Sequence, residues 1–176
     1  MTRSSARAFY DTVIFVLSLN KGDPDSEPCR ALLDVDSPSL TWSIIISAIT
    51  RAEATLHEYL DQLEQRCALQ GVEWIEVPQT AIAATMKQQR HLKAKLDQAG
   101  MQAHDIKQVF AAVAGQAALF VTRDRDFFDP KDKAQRAKKT RGTAISRLLQ
   151  TELGLTALFP TEAHARLRAL STDDAS

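Results

Sequence analysis

The stretch 117–128, AALFVTRDRDFF, sets the terms for the whole chain. Its first part, Ala117-Ala118-Leu119-Phe120-Val121, is a short, wholly apolar run and predicts a buried strand. The run stops at Thr122, and Asp124 and Asp126 follow at once. Carboxylates just past a buried strand stand where parallel α/β sheets gather their ligands. A polar turn closing a strand also uses Asp, so the stretch alone leaves both readings open.

The rest of the chain repeats the pattern. Ala8-Phe9-Tyr10 predicts a first strand ended by Asp11. Residues 12–19 are apolar and predict a helix, with continued strand as the competitor because of Val13, Ile14 and Val16. Asn20 to Asp25 is a dense loop signal, and Ser26 caps a helix to about Asp34. A second strand is expected over 40–46. A long helix over 48–69 follows, ended by Gly71, with Glu53 in its second turn. Residues 72–77 predict a third strand and 81–99 a second long helix; a further helix starts at His104 or Asp105. After the fourth strand at 117–121 come a basic stretch, a short helix over about 143–153 and a last strand at 155–159. Strands alternating with helices predict an α/β fold, a three-layer α/β/α sandwich with a mainly parallel central sheet. One domain over 8–165 is expected, with a disordered N-terminus at 1–7, a basic insertion and short helix at 131–153, and a C-terminal tail at 166–176.

Charge narrows the function less than its placement does. Lys+Arg and Asp+Glu both number 22, so net charge names no partner. Basic residues crowd between 131 and 147, while acids recur beside the apolar runs. Cys29 and Cys67 fit neither a disulfide framework nor a zinc motif, and a cytoplasmic setting is expected. No signal peptide is expected, and Ile44-Ile45-Ile46 is far too short to span a membrane.

Four carboxylate positions share one description. Asp11 follows the first strand, Glu53 lies just inside the helix after the second, Asp105 heads a helix, and Asp124, with Asp126, follows the fourth strand. In a parallel sheet all strand C-termini lie on one edge, so these groups are placed to converge. Converging carboxylates repel, and such clusters hold a cation; oxygen-only ligands suit Mg²⁺ or Mn²⁺. Metal-assisted hydrolysis of a phosphodiester is the chemistry that arrangement favours.

Read together, these residues resemble the motifs of the PIN domain family, the ribonuclease fold of VapC-type toxins. Phe9-Tyr10-Asp11-Thr12 resembles the first motif, with Val13 where the family often has Asn. Ser47-Ala48-Ile49-Thr50-Arg51-Ala52-Glu53 resembles the second, and His104-Asp105-Ile106 with the small residues Ala111, Ala112 and Ala114 the third. Leu119-Phe120-Val121-Thr122-Arg123-Asp124-Arg125-Asp126-Phe127 resembles the fourth, and Leu158-Phe159-Pro160-Thr161 the last strand and its proline. The resemblance implies an acidic quartet of Asp11, Glu53, Asp105 and Asp124, supported by Thr12, Thr122 and Asp126. In that reading Asp11, Asp105, Asp124 and Asp126 ligate Mg²⁺ or Mn²⁺, and Glu53 binds metal or orients the attacking water. It implies an RNA substrate, an antitoxin protein as partner and a homodimer.

The basic stretch Lys131, Lys133, Arg136, Lys138, Lys139 and Arg141 reads either as a solvated face or as an RNA-backbone contact. Asp126 either joins the site or caps a turn and holds Arg123 or Arg125. His104 is placed near the site, though metal-ion hydrolysis does not require a histidine. Two rival functions stand beside the endoribonuclease: a PIN-like module that binds RNA or protein without cutting, and a metal-dependent hydrolase of a small phosphorylated substrate.

Overall fold

The computed structural model describes residues 6–37, 42–124, 127 and 139–173, with side chains omitted for 139–143 and 171–173. Among these, five short strands form one sheet in the order β3-β2-β1-β4-β5, every neighbouring pair parallel. They are β1 (Arg7–Tyr10), β2 (Ser43–Ser47), β3 (Trp74–Val77), β4 (Leu119–Val121) and β5 (Thr156–Leu158). Parallel strands need crossovers, and helices supply them. From β1 to β2 the chain runs through α1 (Thr12–Leu19) and α2 (Ser26–Leu32). From β2 to β3 it runs through α3 (Ala48–Arg51), a 3₁₀ turn (Ala54–Leu56) and α4 (His57–Gln70). Three helices, α5 (Gln79–Gln88), α6 (Arg90–Gln98) and α7 (Ala103–Ala114), lead to β4; α8 (Lys139–Leu153) precedes β5, and α9 (Pro160–Asp173) is the last element of the described residues.

Side-chain alternation along the strands divides the core into two layers. Ala8 and Tyr10 of β1, Ile44 and Ile46 of β2, and Leu119 and Val121 of β4 pack with α1, α2, α4 and α9. Phe9, Ile45 and Phe120 point the other way and pack with α5 to α8. The sandwich is therefore three layers deep, as the alternation of the sequence predicts. On the second face Phe9, Phe120 and Phe127 stack in a row, with ring centroids 5.2 Å apart at each step. On the first, the Trp42 indole donates to the Tyr10 hydroxyl at 2.8 Å, which donates to the Leu32 carbonyl at 3.0 Å. Gly115 lets the end of α7 lie against the sheet: a Cβ there would stand 2.7 Å from Ile45 Cγ2.

The strand order places the site. The chain winds outward from β1 through β2 to β3, then crosses back to add β4 and β5 on the other side. Successive crossovers leave β1 and β4 on opposite faces of the sheet, which opens a crevice beyond their carboxyl ends.

Three elements differ from the sequence expectation. The helix expected over 48–69 is broken, and Glu53 sits in the break with extended backbone (φ −71°, ψ 106°). Arg51 explains the fold-back, since its guanidinium reaches Glu76, Asp61 and Glu64 at 2.8, 2.8 and 2.5 Å. In one continuous helix Asp61 would lie about 15 Å along the axis from Arg51, out of reach. The helix expected over 81–99 likewise breaks at Gln89, which turns Leu92 and Leu96 of α6 into the core. Where a tail was expected from 166, α9 continues to Asp173. It begins with Pro160 at a position that needs no N–H, Glu162 accepts from the Phe159 N–H at 3.2 Å, and Ala163 and Leu167 are buried.

Candidate functional site

The two central strands carry the two carboxylates that the structure brings together. β1 ends at Tyr10, and the Asp11 N–H still bonds to the Val121 carbonyl of β4 at 3.1 Å. One residue past β4, the fully buried Thr122 hydroxyl donates to Asp11 Oδ2 at 2.8 Å and accepts the Asp124 N–H at 3.0 Å. A single hydroxyl thus ties the ends of both strands and sets the spacing of their acids. Burial pushes the Asp11 carboxyl above the usual carboxylate range. The Thr122 hydroxyl, the Thr12 backbone N–H and the nearby His104 pull it back, and the Asp124 charge pushes it up again.

These groups line a cleft of about 590 Å³, whose walls are Asp11, Thr12, Val13, Val16, His104, Arg123 and Asp124. Its surroundings are anchored from several directions. Arg123 is held by two carboxylates of the α1–α2 loop, Asp23 at 3.1 Å and Asp25 at 2.7 Å. Both aspartates are far more buried than ordinary surface acids, at 16% side-chain exposure, so this clamp is well shielded from solvent. Under the cleft lies a ring of hydroxyls and one amide. Ser47 Oγ donates to Gln108 Oε1 (2.8 Å) and Gln108 Nε2 donates to Thr12 Oγ1 (3.1 Å). Thr12 and Thr50 share a hydrogen bond of 2.7 Å, and Thr50 and Ser47 one of 3.3 Å.

Glu53 and Asp105 are not among the residues that line this cleft. Glu53 is exposed, accepts the Thr55 hydroxyl at 3.2 Å and does not line the cleft. Asp105 is half-buried in the first turn of α7; its neighbour His104, rather than Asp105 itself, lines the cleft. Among the described residues no group of three or more His, Cys, Asp or Glu side chains is close enough to hold a metal ion. Asp126, Lys131, Lys133, Arg136 and Lys138 lie outside the described residues, and Lys139 and Arg141 are described by backbone alone, at the start of α8. Among the described residues no helix is long and apolar enough to cross a membrane.

Two participants escaped the sequence reading. Arg123 pairs with Asp23 and Asp25, a hundred residues away in the chain, which no local pattern reveals; Asp126, which the sequence offers as a partner of Arg123 or Arg125, lies outside the described residues. Gln108 left a faint signal: it is a polar residue inside the run Ile106–Ala112, most of which is buried, and it stands one helical turn after Asp105.

No protein-family model matches the sequence, and no curated protein matches it. Among solved structures the chain is similar to VapBC2 from Rickettsia felis, solved bound to a DNA fragment from its promoter. The likeness has 16% identity and a TM-score of 0.44, and it covers 87% of this chain and 98% of that one.

Proposed function

We propose that this chain is a metal-dependent endoribonuclease of the PIN type, the toxin half of a toxin–antitoxin pair. The observation that carries the reading is the Thr122-bridged pair of Asp11 and Asp124 on the wall of the cleft, at the switch point between β1 and β4. The donor set fits a hard divalent cation. It offers carboxylate oxygens with no thiolate, and Mg²⁺ needs only one or two carboxylates when substrate oxygens and waters complete its shell. Asp11 and Asp124 would hold Mg²⁺ or Mn²⁺, with Asp105 and Asp126 as the further ligands that the motifs imply. Such an ion, when bound, activates water and neutralises charge on the phosphodiester.

The chain's own residues have separable tasks. Thr122 fixes the orientation of the Asp11 carboxylate by donating to Oδ2, and leaves the group acceptor capacity for a cation. Arg123 lines the cleft as a cation whose Nε and Nη1 are already fixed by Asp25 and Asp23, a geometry suited to receiving a phosphate oxygen on its remaining donors. Val13 and Val16 add apolar surface to the lining of the cleft. The motif resemblance adds an antitoxin protein and a second copy of the chain as partners; the charge of Lys131, Lys133, Arg136, Lys138, Lys139 and Arg141, rather than the resemblance, assigns that stretch to the RNA backbone.

The exposed position of Glu53 favours one rival, a PIN-like module that binds RNA without cutting it. Incubating a cellular RNA pool with wild type and with Asp124→Asn, in Mg²⁺, in Mn²⁺ and with chelator, separates the two. Metal-dependent cleavage lost in the variant supports the nuclease. RNA retained but uncut under every metal leaves the binding module.

A further inference from the structure

The ring beneath the cleft is built from residues outside the carboxylate set, and three of its four members are sealed from water: Ser47 and Thr50 are 0% exposed and Gln108 1%, while Thr12 is half-buried and lines the cleft. A buried amide inside a helix that otherwise packs apolar side chains is unfavourable unless its hydrogen bonds are met. Here both ends are met, Oε1 by Ser47 and Nε2 by Thr12, and the Thr12–Thr50–Ser47 bonds close the circuit. Ser47 also accepts the Thr50 N–H at 3.2 Å, which caps α3. The ring joins three places where the sequence put acids. Thr12 follows Asp11, Thr50 stands three residues before Glu53, and Gln108 stands one turn after Asp105.

We infer that Gln108 is a positioning residue for the carboxylate site: it holds the hydroxyl of Thr12, the residue next to Asp11, at the point where the Asp11 N–H still bonds to the Val121 carbonyl, and locks the ends of β1 and β2 to α7. The bonds are read from geometry alone; their consequence for a bound cation rests on the nuclease reading above. Groups that orient metal-binding carboxylates typically cost about 10- to 100-fold in metal affinity when removed.

The test uses the full chain with Gln108→Leu, which keeps the side-chain bulk and removes both hydrogen bonds, and compares Thr12→Val with Thr12→Ser. Two quantities are measured: Mn²⁺ affinity without RNA, and amide hydrogen exchange in the metal-free protein. Gln108→Leu and Thr12→Val should weaken Mn²⁺ binding by about tenfold or more. They should also speed exchange of the Asp11 amide, which bonds to the Val121 carbonyl, with the β2 amides of Ile44 to Ile46 unchanged. Thr12→Ser, which keeps the hydroxyl, should behave as wild type. Unchanged Asp11 exchange overturns the inference. So does loss of protection spread evenly over β1, β2 and β4, or faster Asp11 exchange with undiminished Mn²⁺ affinity, since either would make Gln108 a stability residue only. If wild type binds no Mn²⁺, the nuclease reading falls and the exchange result alone decides whether the ring positions the end of β1. Should Gln108→Leu fail to fold, Thr50→Val opens the same ring from its other side and carries both measurements.

Discussion

Replacing Thr122 by valine changes one hydroxyl for one methyl at a site with no solvent exposure, so it isolates the bond that joins the two acids. The hydroxyl makes two bonds. One donates to Asp11 Oδ2 at 2.8 Å; the other accepts the Asp124 N–H at 3.0 Å. A hydrogen bond to a charged group contributes about 1.5–3 kcal/mol and a neutral one about 1 kcal/mol, so Thr122→Val should cost about 2.5–4 kcal/mol where Asp11 is ionised. The cost should depend on pH in a stated direction. The Asp11 carboxyl is raised in the folded protein, chiefly by burial, so its ionised form opposes folding above the folded pKa, and that opposition is gone below the unfolded value of about 3.9. Thr122 relieves the ionised form. Its removal should therefore hurt most where folded Asp11 is ionised and fall to about 1–2 kcal/mol at pH values where Asp11 is protonated. Urea unfolding of wild type and Thr122→Val at a series of pH values reads this directly. A difference that does not vary with pH, or one below about 0.5 kcal/mol at pH 7, would refute the reasoning.

Three more perturbations follow from the same geometry. Asp11→Asn should stabilise the metal-free protein at pH 7, with the gain shrinking as pH falls toward about 4, while RNA cleavage is lost; unfolding curves and a cleavage assay on one preparation check both halves. Gly115→Ala should destabilise by about 1–3 kcal/mol, because the new Cβ would stand 2.7 Å from Ile45 Cγ2 and 3.1 Å from Val77 Cγ2; thermal melting reads it. Arg51→Gln should cost about 1 kcal/mol, and less in high salt, since its partners Asp61, Glu64 and Glu76 are 66%, 49% and 36% exposed and solvent screens them; the salt dependence of the melting temperature checks it.

What the sequence revealed tracks how local the determining interaction is. Apolar runs ended by a polar residue mark β1 and β4, and the same runs predict where Asp11 and Asp124 must stand, because strand ends in a parallel sheet share an edge. The α1 helix was legible against its β-branched content, since Asp11 and Thr12 mark its start. The break after Arg51 was not legible: three carboxylates up to 25 residues away hold the guanidinium, and no Gly or Pro announces the turn. That break takes Glu53 out of the expected helix and leaves it exposed, which shows how contacts far along the chain decide where a local pattern ends. The same holds for Gln108 and Arg123. Their partners, Thr12 and Ser47 for one and Asp23 and Asp25 for the other, are tens of residues distant and meet only once the sheet has assembled.

The central claim is that Asp11 and Asp124 form a cation site. Its most direct test is Mn²⁺ binding to the metal-free chain without RNA, followed by electron paramagnetic resonance, for wild type, Asp11→Asn and Asp124→Asn. The account predicts saturable binding by wild type and loss of most of that affinity in each variant, with all three folded. Equal affinity in the three proteins, or no binding by wild type, would contradict it.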